Sequence, residues 1–438
     1  MDSISNLSLG DHSLIVTDQN GCIDTALFRI NTTMYPVDEQ FQCNNSPIPG
    51  SCPPITITCP SPCTSISIDM VADFDADPTG TSSSECAFES AAEFLQGLDP
   101  DVEKTIFIPF GTYIVGRQEN GSGYYLKGNN VLCFDGINNL TIEGEIFYDD
   151  TTTLIFENCM KIGSFDYPNN PDDRLLMCVD AQECAYNGTD YSHIATMGQM
   201  IHLNECNNVT IRNLKLDGNL DNVIVGGAWP NGMPYDGIFL NACHIFTIEN
   251  VITQNFGHDG IWINHRKSHF SASHQIAIPN FANVGGFINN VKSTNNCRTG
   301  LVWAGGSGLQ VFNSEFSWNG MHRYTLQMAA GLDIEFENSN FANTNGYFYN
   351  CRFEYNNFYG MVNDAHAQVN EFTSAPNSSF NRDHIFRLCT FISASRPNSK
   401  AIHPNTKGMH FIDCDLYGWC ANAYQNARFY LGTNGQLI

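Results

Sequence analysis

The chain has 438 residues, only 15% of them charged, and a formal net charge of −25. That length suits one large elongated domain with a small companion, and acidity this strong excludes a nucleic-acid binder, which needs a basic footprint for the phosphates. No apolar run approaches the ~18 residues of a membrane-spanning helix, so membrane insertion is not expected.

Gly, Asn, Phe, Tyr and Thr dominate, a composition of strands and turns. Of the 17 cysteines, Cys43, Cys52, Cys59 and Cys63 cluster with prolines, which fits disulfides in an extracellular setting. Residues 7–30, "LSLGDHSLIVTDQNGCIDTALFRI", read as two alternating strands around an "NGC" turn. They resemble the C-terminal half of a repeat found in gliding-motility adhesins and other secreted proteins of Bacteroidetes, G-x-Y-x-V-x-V-x-D-x-N-G-C. The first half of that module is missing. The resemblance implies a secreted or cell-surface bacterial protein. The chain opens inside this β-rich repeat with no leader pattern, so a piece of a longer protein is expected. Residues 1–33 are thus a partial adhesin-type repeat, and 34–66 a Cys/Pro-rich linker.

Further on, five segments share one pattern of apolar strand, Asn, short strand, Asn-rich turn, Gly and third strand. They are 246–264, 286–304, 309–320, 346–364 and, more weakly, 409–419. Asn250 to Gly260, Asn290 to Gly300 and Asn350 to Gly360 are each ten residues apart. Such a period with three short strands per unit predicts a solenoid whose core is buried by stacking. In the same register, Cys351, Cys389 and Cys414 are expected to point inward as small stacked core residues.

Residues 67–116 open this region. In "ADFDADPTGTSSSECAFESAAEFL", Ser82 and Glu85 fit a capping box, and Ala87, Phe88, Ala91, Ala92, Leu95 and Leu98 make one apolar helix face. "TIFIPFGTYIVG" follows as a strand. A strand, D-P-T-G-T loop, capping helix and I-P-x-G-x-Y strand resemble the opening of the pectate-lyase superfamily. "NNLTIEGE" (138–145) and "NNVTIRNLKLDGN" (207–219) read as further coils. The resemblance implies an all-β fold over 67–438: a right-handed parallel β-helix catalytic domain with an N-terminal capping helix, preceded by a small β-rich segment. Members include pectate lyases, polygalacturonases, carrageenases, fucanases and tailspikes, so activity must come from the site.

Coils align on Gly237, Gly260, Gly300, Gly331 and Gly360. The next residues, Ile238, Ile261, Leu301, Leu332 and Met361, are expected inward; alternation then sends positions two and four after each Gly outward. That face collects Trp262, Asn264, Asp333, Glu335 and Asp364, and further along Arg266 and His366. Asp236 and Asp259 precede their glycines and should stack across one coil. With coils ~4.8 Å apart and outward neighbours ~6.6 Å apart along a strand, Asp333 and Glu335 form a close pair. Glycoside hydrolysis needs two carboxyl groups about 5–5.5 Å apart for retention or about 6.5–9.5 Å for inversion, and this spacing leaves the stereochemistry open. The other reading of such pairs is calcium binding or surface ion pairing.

Basic residues are scarce, yet "NHRKSHFSASH" (264–274) gathers His265, Arg266, Lys267, His269 and His274, and "MHRYT" adds His322, Arg323 and Tyr324. A cationic island beside carboxylates suits a sulfated or uronate sugar, with Arg on the anionic group and Trp or Tyr on the pyranose face. The expected function is a secreted, endo-acting glycoside hydrolase on an anionic polysaccharide such as a sulfated fucan or carrageenan. Glu335 is the expected proton donor and Asp333 the base or nucleophile, with Asp236 and Asp259 as further catalytic carboxylates. Trp262, Asn264, His265, Arg266, His258, His322, Arg323, Tyr324, Asp364 and His366 would bind substrate. No cofactor or metal is required in this reading, although calcium could bind. The alternatives are a lyase or epimerase on a uronate polymer, and a non-catalytic carbohydrate-binding adhesin.

Overall fold

Left-handed asparagines set the corners of this chain. The computed structural model describes residues 10–17, 23–30, 63–119, 124–148, 150–166, 170–174, 191–226, 235–264, 285–322, 329–336, 343–365, 383–394, 399–404, 408–418, 420, 427–431 and 436–437. One eight-stranded parallel sheet takes a strand from each coil, running from Leu132–Asp135 through Ile201–Asn204, Ile238–Asn241, Ile261–Asn264, Leu301–Ala304, Ala330–Phe336 and Tyr359–Ala365 to Lys400–Pro404. A larger sheet takes two strands from most coils, such as Gly286–Asn289 with Lys292–Thr294, and Tyr347–Tyr349 with Arg352–Asn356. The sheets curl round one axis as a right-handed parallel β-helix, as expected.

At the bend of the larger sheet Asn213, Asn250, Asn290, Asn313 and Asn350 have φ between 49° and 59°, a region that Asn enters more cheaply than other side chains. Their amides also bond from coil to coil: Asn250 Nδ2 donates to Asn213 Oδ1 at 3.0 Å, Asn290 to Asn250 at 2.8 Å and Asn350 to Asn313 at 2.9 Å. The turn glycines have a different cause. A Cβ on Gly260 would run into Ser293 Oγ.

Inside, Ile238, Ile261, Leu301, Leu332 and Met361 form one fully buried row in register. Phe348, Phe386, Phe411 and Phe429 stack at 4.6, 5.0 and 5.1 Å between centroids, close to the ~4.8 Å strand spacing. Cys351, Cys389 and Cys414 are free thiols that donate to Val311 O, Phe348 O and Phe386 O of the neighbouring coil. They fill the core, as expected. Cys63, Cys86 and Cys159 are disulfide-bonded. Residues Gly10–Thr17 and Ile23–Ile30 pair as an antiparallel hairpin.

The helix Glu85–Gln96 buries Ala87, Phe88, Ala91, Ala92 and Leu95. Its start corrects the capping-box expectation. Ser82 Oγ donates instead to Asp77 Oδ2, because the Asp77 carboxylate gathers six donors from Thr79, Thr81 and Ser82. Ser84 takes the N-cap position without a side-chain capping bond; its Oγ accepts from Asp77 N at 2.9 Å instead. Glu85 turns inward and accepts from Gly116 N at 2.5 Å. Burial pushes its carboxyl up to about 8 from an ordinary 4.5. A folded-state pKa raised in this way gives stability that is complete below the unfolded value and is lost as pH rises through about 8. Glu85→Gln should therefore gain melting temperature relative to the parent protein between pH 5 and pH 9, which paired thermal melts would show.

Candidate active site on the outer face of the eight-stranded sheet

Side chains leave the eight-stranded sheet outward in rows along the axis. The row two residues after each glycine holds Phe239, Trp262, Val302, Asp333 and Val362 in register. Alternation predicts their direction correctly but not their exposure. Val302 is fully buried, Asp333 is 2% exposed and Glu335 8%, so the expectation of an open carboxylate pair is corrected. Neighbouring coils are close enough for outward side chains to cover one another. Phe239 packs edge-on against His202 and Trp262 at 5.1 and 4.9 Å, and Trp262 touches His258 at 5.6 Å.

The four predicted carboxylates do converge, and they do so around Arg298. Its Nη1 lies 3.1 Å from Asp259 Oδ2 and its Nη2 3.6 Å from Glu335 Oε2. Burial opposes the guanidinium charge, but Asp259, Glu335, Asp333 and Asp236 outweigh it and hold the pKa above the ordinary arginine range. Arg298 sits two residues before Gly300, the position His258 holds before Gly260. That parallel in register was the signal available for it.

Asp236 and Asp259 are fully buried. Asp236 Oδ1 accepts from His258 Nδ1 at 2.7 Å and Asp259 N at 3.0 Å, and Oδ2 accepts from Gln199 Nε2 at 3.1 Å. Asp259 Oδ1 accepts from Thr299 N at 2.9 Å, and Oδ2 from Arg298. Burial raises the Asp259 pKa. With every oxygen engaged, these two hold His258 and Arg298 in place. Arg298 Nη1 lies 3.1 Å from His258 Nε2, and these partners assign the imidazole proton to Nδ1. Burial disfavours a second proton on His258, but Asp259 and Asp236 outweigh it and raise its pKa.

Ligand atoms of Asp236, His258 and Asp259 lie within 4.8 Å of one another. Calcium takes six to eight oxygens. A buried imidazole and an arginine already on Asp259 do not fit that demand.

Of the other predicted residues, Asn264 is buried at its strand end. It pairs with Asn241, in the row where Asn241 donates to Asn204 at 2.6 Å and Asn204 to Asp135 at 2.7 Å. His322 bonds Asp221 at 3.0 Å. Asp364 pairs with Glu335 along the backbone. His265, Arg266, Arg323, Tyr324 and His366 lie outside the described residues, with most of the cationic island.

Removing the guanidinium should be costly. Arg298→Ala leaves buried carboxylates uncompensated, a change worth about 3–5 kcal/mol, and denaturant unfolding should show that loss with partial recovery in Arg298→Lys.

No protein-family model matches the chain, and no curated protein matches it. Among solved structures, the A-module of the Azotobacter vinelandii mannuronan C-5 epimerase AlgE4 is 14% identical, over 82% of this chain and 98% of its own, with a TM-score of 0.32. An iota-carrageenase complexed to iota-carrageenan fragments is 11% identical, over 82% of this chain and 57% of its own, at 0.34. The catalytic domain of a GH87 alpha-1,3-glucanase is 12% identical, over 87% of this chain and 57% of its own, at 0.38. At these identities and scores they assign no family, and the fold rests on the strand pairings above. The adhesin-type reading of residues 1–33 gains no support from them.

Proposed function

We propose that the chain is an extracellular polysaccharide-active enzyme, a glycoside hydrolase acting on an anionic polymer at the outer face of its eight-stranded sheet. The observation that carries the reading is the placement of Asp333 and Glu335 on one outward strand, beside the Arg298 guanidinium. Glu335 and Arg298 form the accessible edge of the network, with side chains 11% and 14% exposed. Glu335 is the group assigned to proton transfer and Asp333 the base or nucleophile. Arg298, fixed by Asp259 and His258, supplies positive charge for an acidic sugar and for charge developing at the scissile bond. Trp262 offers an aromatic face in the same row as Asp333.

Disulfides at Cys63, Cys86 and Cys159 support an oxidising, extracellular setting. No described helix is long and apolar enough to cross a membrane. Reducing-sugar release from a panel of algal and plant polysaccharides tests the reading, and absence of cleavage across the panel supports the adhesin alternative.

Arg298 also favours a second reading. A guanidinium held against acidic groups is the device a lyase or epimerase uses to neutralise a uronate carboxylate during proton abstraction. A lyase gives an unsaturated product that absorbs in the ultraviolet, and a hydrolase does not.

A further inference from the structure

The outward face continues past the carboxylate pair. Asp333 pairs with Val362 and Val362 with His403, so His403 stands two coils beyond Asp333 in the same row, ~10 Å along the axis. Lys400, three residues earlier, pairs with Tyr359. The three side chains meet. Lys400 Nζ is 3.2 Å from His403 Nδ1 and 5.3 Å from the Tyr359 ring centroid. The Tyr359 and His403 rings stack at 5.2 Å and 28°. All three are half-buried, in contrast to the sealed Asp236–His258–Asp259 group.

These groups have the chemistry of an acidic-sugar subsite. Two near-parallel rings present a flat face to pyranose C–H groups, and an ammonium stands over one of them. A carboxylate or sulfate ester reaching Lys400 gains a charge-assisted hydrogen bond in a partly dehydrated place. Burial, and then the Lys400 charge, push the His403 pKa down to about 4, and burial lowers that of Lys400. An anion placed against both would favour their charged forms and so oppose both shifts.

We infer that Tyr359, Lys400 and His403 form the subsite for the acidic substituent of a sugar unit bound beyond Asp333 and Glu335 along the helix axis. The inference rests on the polysaccharide reading of this face and adds where the charge of the polymer is recognised. It places recognition on the sheet itself, in addition to the cationic island at 264–274.

The test measures binding by titration calorimetry to alginate (carboxylates), carrageenan (sulfates) and neutral laminarin oligosaccharides, with the full chain carrying Glu335→Gln so that turnover does not interfere. Adding Lys400→Ala with His403→Ala should weaken at least one anionic ligand by ~10-fold or more and flatten the salt dependence of that affinity. Laminarin, which has no acidic substituent, should lose only what the His403 ring contributes, less than the anionic ligand loses, and Lys400→Arg should retain the anionic ligand. The polymer that loses affinity tells carboxylate from sulfate. Unchanged affinity for both anionic ligands in a variant that melts like its parent overturns the subsite, and so does failure of both to bind the parent. Cleavage by Glu335→Gln at the parent rate would instead count against the hydrolase assignment and leave the subsite standing.

Discussion

Glu335→Gln is expected to lower turnover of the polysaccharide by about 10²–10⁴-fold, the usual worth of general acid–base assistance, while the polymer still binds. The amide keeps the shape of the carboxyl but cannot transfer a proton. Glu335 is also the one member of the network whose loss the fold should tolerate. It meets Arg298 at 3.6 Å, whereas Asp259 meets the same guanidinium at 3.1 Å from full burial. Arg298 thus keeps its nearer partner. Asp333→Asn should be similarly damaging, because the same bond needs both carboxyl groups. Single-turnover rates, binding and thermal melts on each variant separate chemistry from folding. Near-wild-type rates in both variants would remove this pair and favour the lyase reading, in which Arg298 and a neighbouring base act on a uronate.

Much of the fold was legible because β-helix corners are written in residue types. Asn at a left-handed corner and Gly where Ser293 and Asn296 approach are local demands, and each repeats at a fixed spacing. The inward row from Ile238 to Met361 follows from alternation once the corners are aligned. What did not follow was coverage. Alternation sent Asp333 and Glu335 outward, but nothing in the spacing said that Arg298 would reach across the next coil or that Phe239 and Trp262 would close over the neighbouring positions. Arg298 itself is one basic residue in "NNCRTG", outside the cationic island at 264–274. Ser82 and Glu85 matched a capping box by spacing alone, and Asp77 competed for the serine. Local patterns state which bonds are possible, and tertiary neighbours decide which of them form.

Asn319→Leu should lower stability by roughly 5 kcal/mol, from several buried polar groups at about 1–3 kcal/mol each. Asn319 is fully buried at an inner corner. Its Oδ1 accepts from Asn296 N at 3.1 Å and Asn296 Nδ2 at 3.0 Å, and its Nδ2 donates to Ser293 O at 3.2 Å and Asn356 Oδ1 at 3.1 Å. A leucine, of similar branched shape, strands a backbone N–H, a carbonyl oxygen and parts of two side-chain amides away from water. It also crowds a corner where even a Cβ on Gly300 would come within 2.8 Å of Asn319 Nδ2. The control is Asn313→Ala on the outer ladder. Asn313 is exposed, so water can replace its amide bonds, and the loss should be about 1 kcal/mol, mostly from the left-handed backbone. Denaturant unfolding of both variants measures the contrast. Equal losses would mean that the inner amide ladder does not carry the coil-to-coil register, and that the stacking of Phe316 on Phe353 of the next coil suffices.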